Sequence, residues 1–157
     1  MGRFDRAEVF EALRDYEANV ARCSTTGDWT GFPDRLTEDV EYIEHAYGTF
    51  VGRDAVREWI VEVMAPFPHM RIEQNWVAYD EANDAVVFEV DNILDDPGAG
   101  GAEFAFPNIT RLVYGGDGLF KSQEDIYNPA RDAGRVIGAW VRAGGKLAAR
   151  PAVMKWA

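Results

Sequence analysis

Hydrophobic positions recur at helical spacing in the first part of the chain and every second residue in the later part. Behind Asp5-Arg6-Ala7-Glu8, which has capping-box spacing, Phe10, Leu13, Tyr16 and Val20 follow at helical intervals. They predict one long amphipathic helix over residues 5 to about 24, broken by Thr25-Thr26-Gly27-Asp28. Trp29, Phe32 and Leu36 then predict a short second helix ending at Thr37-Glu38-Asp39. Residues 40–45 alternate as a first strand, and residues 48–52 read as a turn. Val56, Trp59, Ile60, Val63 and Met64 predict a third helix, which Pro66-Phe67-Pro68 ends because proline cannot continue one. Strands follow over 70–79, 85–94, 103–114 and from Gly118 to Asn128, separated by polar or Gly-rich turns. Asn128 can cap a last helix with Pro129 near its first position; Val136, Ile137, Trp140 and Val141 form its stripe.

Helices first and consecutive strands afterwards indicate an α+β fold. The expected architecture is a cone-shaped α+β barrel, with N-terminal helices packed on a curved, mainly antiparallel sheet that encloses a pocket. Residues 1–145 form this domain, and 146–157 are a weakly periodic tail that covers the pocket mouth or makes a subunit contact.

Composition narrows the function. A length of 157 residues with 47% hydrophobic residues supports one domain with a sizeable core. The net charge of −11, spread along the chain, disfavours nucleic acid and anionic membranes as partners. Apolar runs are too short to span a bilayer, and the charged, amphipathic start lacks a signal-peptide pattern. A lone Cys23 permits neither an internal disulfide nor a thiolate zinc site, which fits a reducing cytoplasm. Neither paired-Cys nor His-x-x-x-His spacing occurs, and no strand-to-helix turn with Lys follows the glycine pairs. No metal and no cofactor are expected.

Strand parity supplies the candidate chemistry. Gln123, Asp125 and Tyr127 share one face, and Tyr42 with Glu44, and Glu89 with Asp91, can share it too. The other face of the middle strand, Val86, Phe88 and Val90, is more apolar; if it turns inward, Asn92 enters the pocket instead. Several carboxyls in one apolar pocket cannot all ionise, so one stays protonated beside an ionised one: an acid and a base. Asp125 is the candidate base, Asp91 the second carboxyl and Tyr42 the donor to a developing enolate oxygen. His45, near a rim, is either a general acid–base or a surface residue. Trp76, Phe106 and Tyr127 can line a cavity for a flat ligand, and Asn108, on the parity of Phe106, can orient a carbonyl.

Gly27-Asp28-Trp29, then Leu36-Thr37-Glu38-Asp39-Val40, then Gly52-Arg53-Asp54-Ala55-Val56-Arg57-Glu58 form an ordered set of phrases. Together with the stretch from Asp117-Gly118 to Asp125-Ile126-Tyr127-Asn128-Pro129, they resemble the SnoaL-like polyketide cyclases of the nuclear-transport-factor-2-like superfamily. The likeness runs from about Phe4 to Trp140. It implies the cone fold, a homodimer, a hydrophobic small-molecule ligand and Asp125 as the last-strand base. Limonene-epoxide-hydrolase-like members carry a Tyr, an Asn, an Arg and two Asp; Tyr42, Asp91 and Asp125 match three of these five, whereas Glu89 stands at the Arg position and Glu44 at the Asn position. Epoxide hydrolysis is therefore the least favoured enzymatic reading. The leading expectation is a cofactor-free isomerase, cyclase or dehydratase acting on a hydrophobic cyclic molecule, following the ketosteroid-isomerase division of labour. The alternative is a small-molecule-binding or protein-interaction domain without chemistry.

Overall fold

The computed structural model describes residues 2–155; Trp156 and Ala157 of the tail lie outside them. Helix α1 (Arg6–Thr26) starts where the Asp5 carboxylate accepts from the Ala7 N–H at 2.7 Å, and it ends at Gly27 in the left-handed region. Its buried stripe includes the expected Leu13, Tyr16 and Val20, together with Val9 and Cys23, while Phe10 is only half-buried. The expected second helix is only a single 3-10 turn, Phe32–Arg35. Leu36 is already extended, so strand β1 (Leu36–Glu44) starts earlier than expected. Pro33 near the start of that turn favours a short turn over a propagating helix.

The expected turn over residues 48–52 is in fact strand β2 (Gly48–Val51), which pairs antiparallel with β1, Tyr42 opposite Phe50. Thr49, Phe50 and Val51 are strand formers, and Gly48 (φ 117°) and Gly52 (φ 91°) supply the bends at either end. Helix α2 (Arg53–Met64) buries Val56, Trp59, Ile60 and Met64. Strands β3 (Arg71–Asp80), β4 (Ala85–Leu94), β5 (Phe104–Gly116) and β6 (Leu119–Ile126) follow close to their expected spans. Asn128 caps the next element through an Arg131 N–H bond of 2.9 Å. That element is one wide π turn (Pro129–Ala133), which leads into helix α3 (Gly134–Arg142).

The six strands form one sheet in the order β2-β1-β6-β5-β4-β3, in which β1 and β6 are parallel and every other pair is antiparallel. The result is the expected α+β cone, with α1, α2 and the 3-10 turn packed together over the inner face of the sheet. The parallel β1–β6 pair sets Tyr42 beside Gln123 and Glu44 beside Asp125. Residues paired this way on adjacent strands point to the same side of the sheet. The tail returns across the helices: Ala148 N–H bonds Pro66 O at 3.1 Å, Lys155 N–H bonds Ala46 O at 2.8 Å, and Met154 borders the cavity. No helix among the described residues is long and apolar enough to cross a membrane.

One side chain ties α1 to the 3-10 turn that leads into β1. The Asn19 amide donates to the carbonyls of Gly31 (2.9 Å) and Phe32 (3.0 Å). Asn19→Ala removes both bonds, leaving Gly31 O with only the Asp34 N–H, and is expected to cost about 1–2 kcal/mol in chemical denaturation; a change below about 0.5 kcal/mol contradicts this role.

Candidate functional site

A cavity of about 440 Å³ lies between the inner sheet face and the helix layer. Its wall is mostly apolar and aromatic, and its polar groups gather where β1, β6 and β5 run side by side. Asp125 sits at their centre, only 8% exposed. Its Oδ1 accepts from the Thr110 hydroxyl at 2.7 Å, and its Oδ2 accepts from the Tyr42 hydroxyl in a short hydrogen bond.

The direction of the Tyr42 bond is set from further away. From α1, the Tyr16 hydroxyl donates to Gln123 Oε1 at 3.0 Å, which orients the amide. Gln123 Nε2 then donates to the Tyr42 oxygen at 2.9 Å and reaches Asp125 Oδ1 at 3.3 Å. With its oxygen accepting from Gln123, Tyr42 has its proton left to give to Asp125. Burial pushes the Asp125 carboxyl above the usual carboxylate range, while hydrogen bonds from Tyr42, Thr110 and Gln123 partly oppose the shift. Burial, and then the nearby Asp125 charge, push the Tyr42 and Tyr16 phenols well above their ordinary value, so both are neutral donors.

Glu44, 3% exposed, is the second carboxyl. Its Oε2 accepts from the backbone N–H groups of Ala46 and Tyr47, each at 2.8 Å. Burial raises its pKa, the neighbouring Tyr127 hydroxyl and the Ala46 N–H hold it down in part, and Asp125 pushes it up again. Tyr127 is raised in turn by its own burial and by the Glu44 charge. Glu44 Oε1, Trp59 Nε1 and Asn108 Oδ1, all in residues that line the cavity, have no hydrogen-bond partner among the described residues. Ionisable acids at the wall are Glu17, Glu44 and Asp125, and no Lys, Arg or His joins them among the described residues.

The cavity thus brings together Asp125, Tyr42, Glu44, Gln123, Asn108, Phe106 and Tyr127. Four expected members lie elsewhere. Glu89 and Asp91 point to the outer face of β4, where Asn75 Nδ2 donates to them at 3.3 and 3.0 Å. Val86, Phe88, Val90 and Asn92 face inward instead, because turning that apolar row to solvent would forgo its burial. Asp91 is therefore not the second carboxyl of the cavity. Trp76, 44% exposed, lies beyond a bulge between Gln74 and Trp76 and pairs with the outward Glu89, while Ile72 and Gln74 line the cavity. His45 is half exposed and pairs with Glu124 at 2.9 Å, away from the cavity wall. Thr110 and Tyr16 are members that parity and periodicity did not single out. Thr110 shares the parity of Phe106 and Asn108 and was within reach of the same argument. Tyr16 looks like any other core position on the α1 stripe, and nothing in the sequence marks its hydroxyl.

The sequence model of the SnoaL-like domain matches residues 16–122. The chain belongs to the SnoaL-like family. No curated protein matches it significantly in sequence. Among solved structures, an NTF2-like protein from Anabaena variabilis is 20% identical with a TM-score of 0.63, over 82% of this chain and 95% of that one. A steroid delta-isomerase from Pseudomonas aeruginosa is 17% identical with a TM-score of 0.60, over 90% and 94%. An LEH-like epoxide hydrolase from M. tuberculosis is 14% identical with a TM-score of 0.63, over 87% and 94%. These likenesses establish the nuclear-transport-factor-2-like fold that this SnoaL-like domain shares with proteins of different activities.

Because the Asp125 pKa is raised in the folded protein, the fold favours the protonated carboxyl. That contribution is complete below the unfolded carboxylate range of about 4 and is lost as pH rises through the folded value. Asp125→Asn, which cannot ionise, should therefore have a higher Tm than wild type at pH ~7, with the gap closing as pH falls towards ~4. A pH-independent difference in Tm contradicts the raised carboxyl.

Proposed function

We propose that this SnoaL-like domain is a cofactor-free acid–base enzyme for a hydrophobic cyclic carbonyl compound. Asp125 is the base. It takes a proton from a carbon next to the carbonyl; the C–H electron pair forms the carbon–carbon double bond, and the carbonyl electrons move onto oxygen as an enolate. Neutral phenols are the donors suited to that oxygen; once Asp125 has taken the proton and no longer needs the bond from Tyr42, the Tyr42 hydroxyl turns from Oδ2 to the enolate oxygen. The proton returns to another carbon in an isomerase. In a dehydratase the enolate instead expels hydroxide, which leaves as water once protonated; in a cyclase it attacks an electrophile within the same molecule.

The observation that carries this reading is the Asp125 carboxyl itself: buried, raised, aligned by three side-chain donors and open to an apolar cavity with no cation among its described wall residues. Glu44, next to it across the β1–β6 pair, takes the place of Asp91 as the partner carboxyl. The similarity to a steroid delta-isomerase is compatible with this chemistry. Epoxide hydrolysis gains less support, since no Arg among the described residues stands between the two carboxyls of the cavity. The open cavity also favours a small molecule over a protein partner as the ligand.

The test is a turnover screen on cyclic ketones and polyketide-like substrates. Asp125→Asn should lose about 100-fold or more in rate while remaining folded, and Tyr42→Phe should lose less. Full activity in Asp125→Asn overturns the assignment, and saturable binding without product in the wild type leaves a binding domain.

A further inference from the structure

Glu44 Oε1 is a fixed acceptor that receives no hydrogen bond from any described residue, although the Tyr127 hydroxyl lies near enough to hold the Glu44 pKa down in part. The backbone bonds from Ala46 and Tyr47 pin Oε2, so the carboxyl cannot turn to hide its other oxygen. Oε1 is left without a hydrogen bond in a side chain that is 3% exposed and lines the cavity. An unpartnered carboxylate oxygen is costly to bury, and the cost is recovered only when something donates to it.

The surroundings select the kind of donor. Tyr42, Tyr47, Trp59 and Tyr127 line the cavity with Glu44; the Tyr42 and Tyr47 rings lie 5.0 and 6.0 Å from the Trp59 ring. Aromatic faces attract cations. The other acids of the wall, Asp125 and Glu17, add negative potential to the extent that they ionise, and no cation of the described wall residues offsets it. A carboxylate or phosphate ligand would meet repulsion from every ionised group here. An ammonium group would meet an unpaired carboxylate oxygen and electron-rich rings.

We propose that the cavity takes a ligand with a protonated amine on its apolar ring skeleton, bound by Glu44 through Oε1 among the rings of Tyr47, Trp59 and Tyr127. This deepens the reading of the cavity as a ligand site, and it holds whether or not Asp125 carries out chemistry. In the parallel pair Glu44 lies beside Asp125, about 5 Å away across the strands. The ammonium group therefore sits near the reacting carbon and also favours the ionised, basic form of Asp125.

The experiment compares adamantylamine, adamantanol and adamantanecarboxylate, three ligands with one apolar cage and different polar groups, by calorimetry at neutral pH. The amine should bind wild type about tenfold more tightly than the alcohol, with the carboxylate weakest. Glu44→Gln keeps an oxygen for the Ala46 and Tyr47 amides, and it should weaken the amine about tenfold while leaving the alcohol within about twofold. Equal binding of amine and alcohol, preference for the carboxylate, no binding of the amine, or an unchanged amine affinity in Glu44→Gln each overturns the proposal. If Glu44→Gln does not fold, the wild-type series decides alone. Loss of the amine preference while Asp125→Asn still abolishes turnover leaves an acid–base site for a neutral substrate. An amine preference with a fully active Asp125→Asn leaves a binding site without the proposed base.

Discussion

Keeping one carboxyl, Asp125, out of water with no cation among the described wall residues is the constraint on which the rest of the site depends. A carboxyl placed so can ionise only if fixed dipoles replace its lost hydration. Hydroxyls from Tyr42 and Thr110 and the Gln123 amide do this, and Tyr16 on α1 sets the direction of the series by orienting that amide. The donors come from β1, β5, β6 and α1, so the carboxyl's environment is complete only when the helix layer has docked on the sheet. Parallel pairing of β1 with β6 is the element of topology that makes it possible. It joins the chain's first strand to its last and sets Tyr42 and Glu44 directly against Gln123 and Asp125.

The same arrangement separates the roles of the two cavity carboxyls. Asp125 has both oxygens engaged by side-chain donors, which hold the proposed base in one orientation. Glu44 has one oxygen pinned by backbone N–H groups and the other unpaired, the arrangement of a group that waits for a donor on a ligand. Helix α2 brings Trp59 and the returning tail brings Met154 to the same enclosure. The candidate site is therefore built by packing around a few polar groups rather than by a contiguous motif.

The order of periodicities was enough to read the α+β cone, and the parity of β6 was enough to read Asp125, Gln123 and Tyr127 on one face. The errors have local physical causes. On β4 both faces offered a pattern, acidic on one side and aliphatic on the other, and burial of Val86, Phe88 and Val90 decided it. On β3 a bulge, an insertion that alternation alone does not reveal, carried Trp76 to the outer face. β2 is a four-residue edge strand that begins at Gly48 and is followed by Gly52, and these glycines look like a turn until the partner strand is in view. Tyr16 has a hydroxyl that matters because of what lies across the cavity, which a helical stripe cannot disclose.

Carbon-detected NMR titration of the Asp125 side-chain carboxyl, in wild type and in Tyr42→Phe, tests the central claim most directly. The account predicts a midpoint above the ordinary Asp value of about 4, moving higher in Tyr42→Phe as a hydrogen bond to the ionised form is lost. A midpoint at or below about 4 in wild type, unmoved by the substitution, would mean that Asp125 is neither desolvated nor held by Tyr42, and the account would fail.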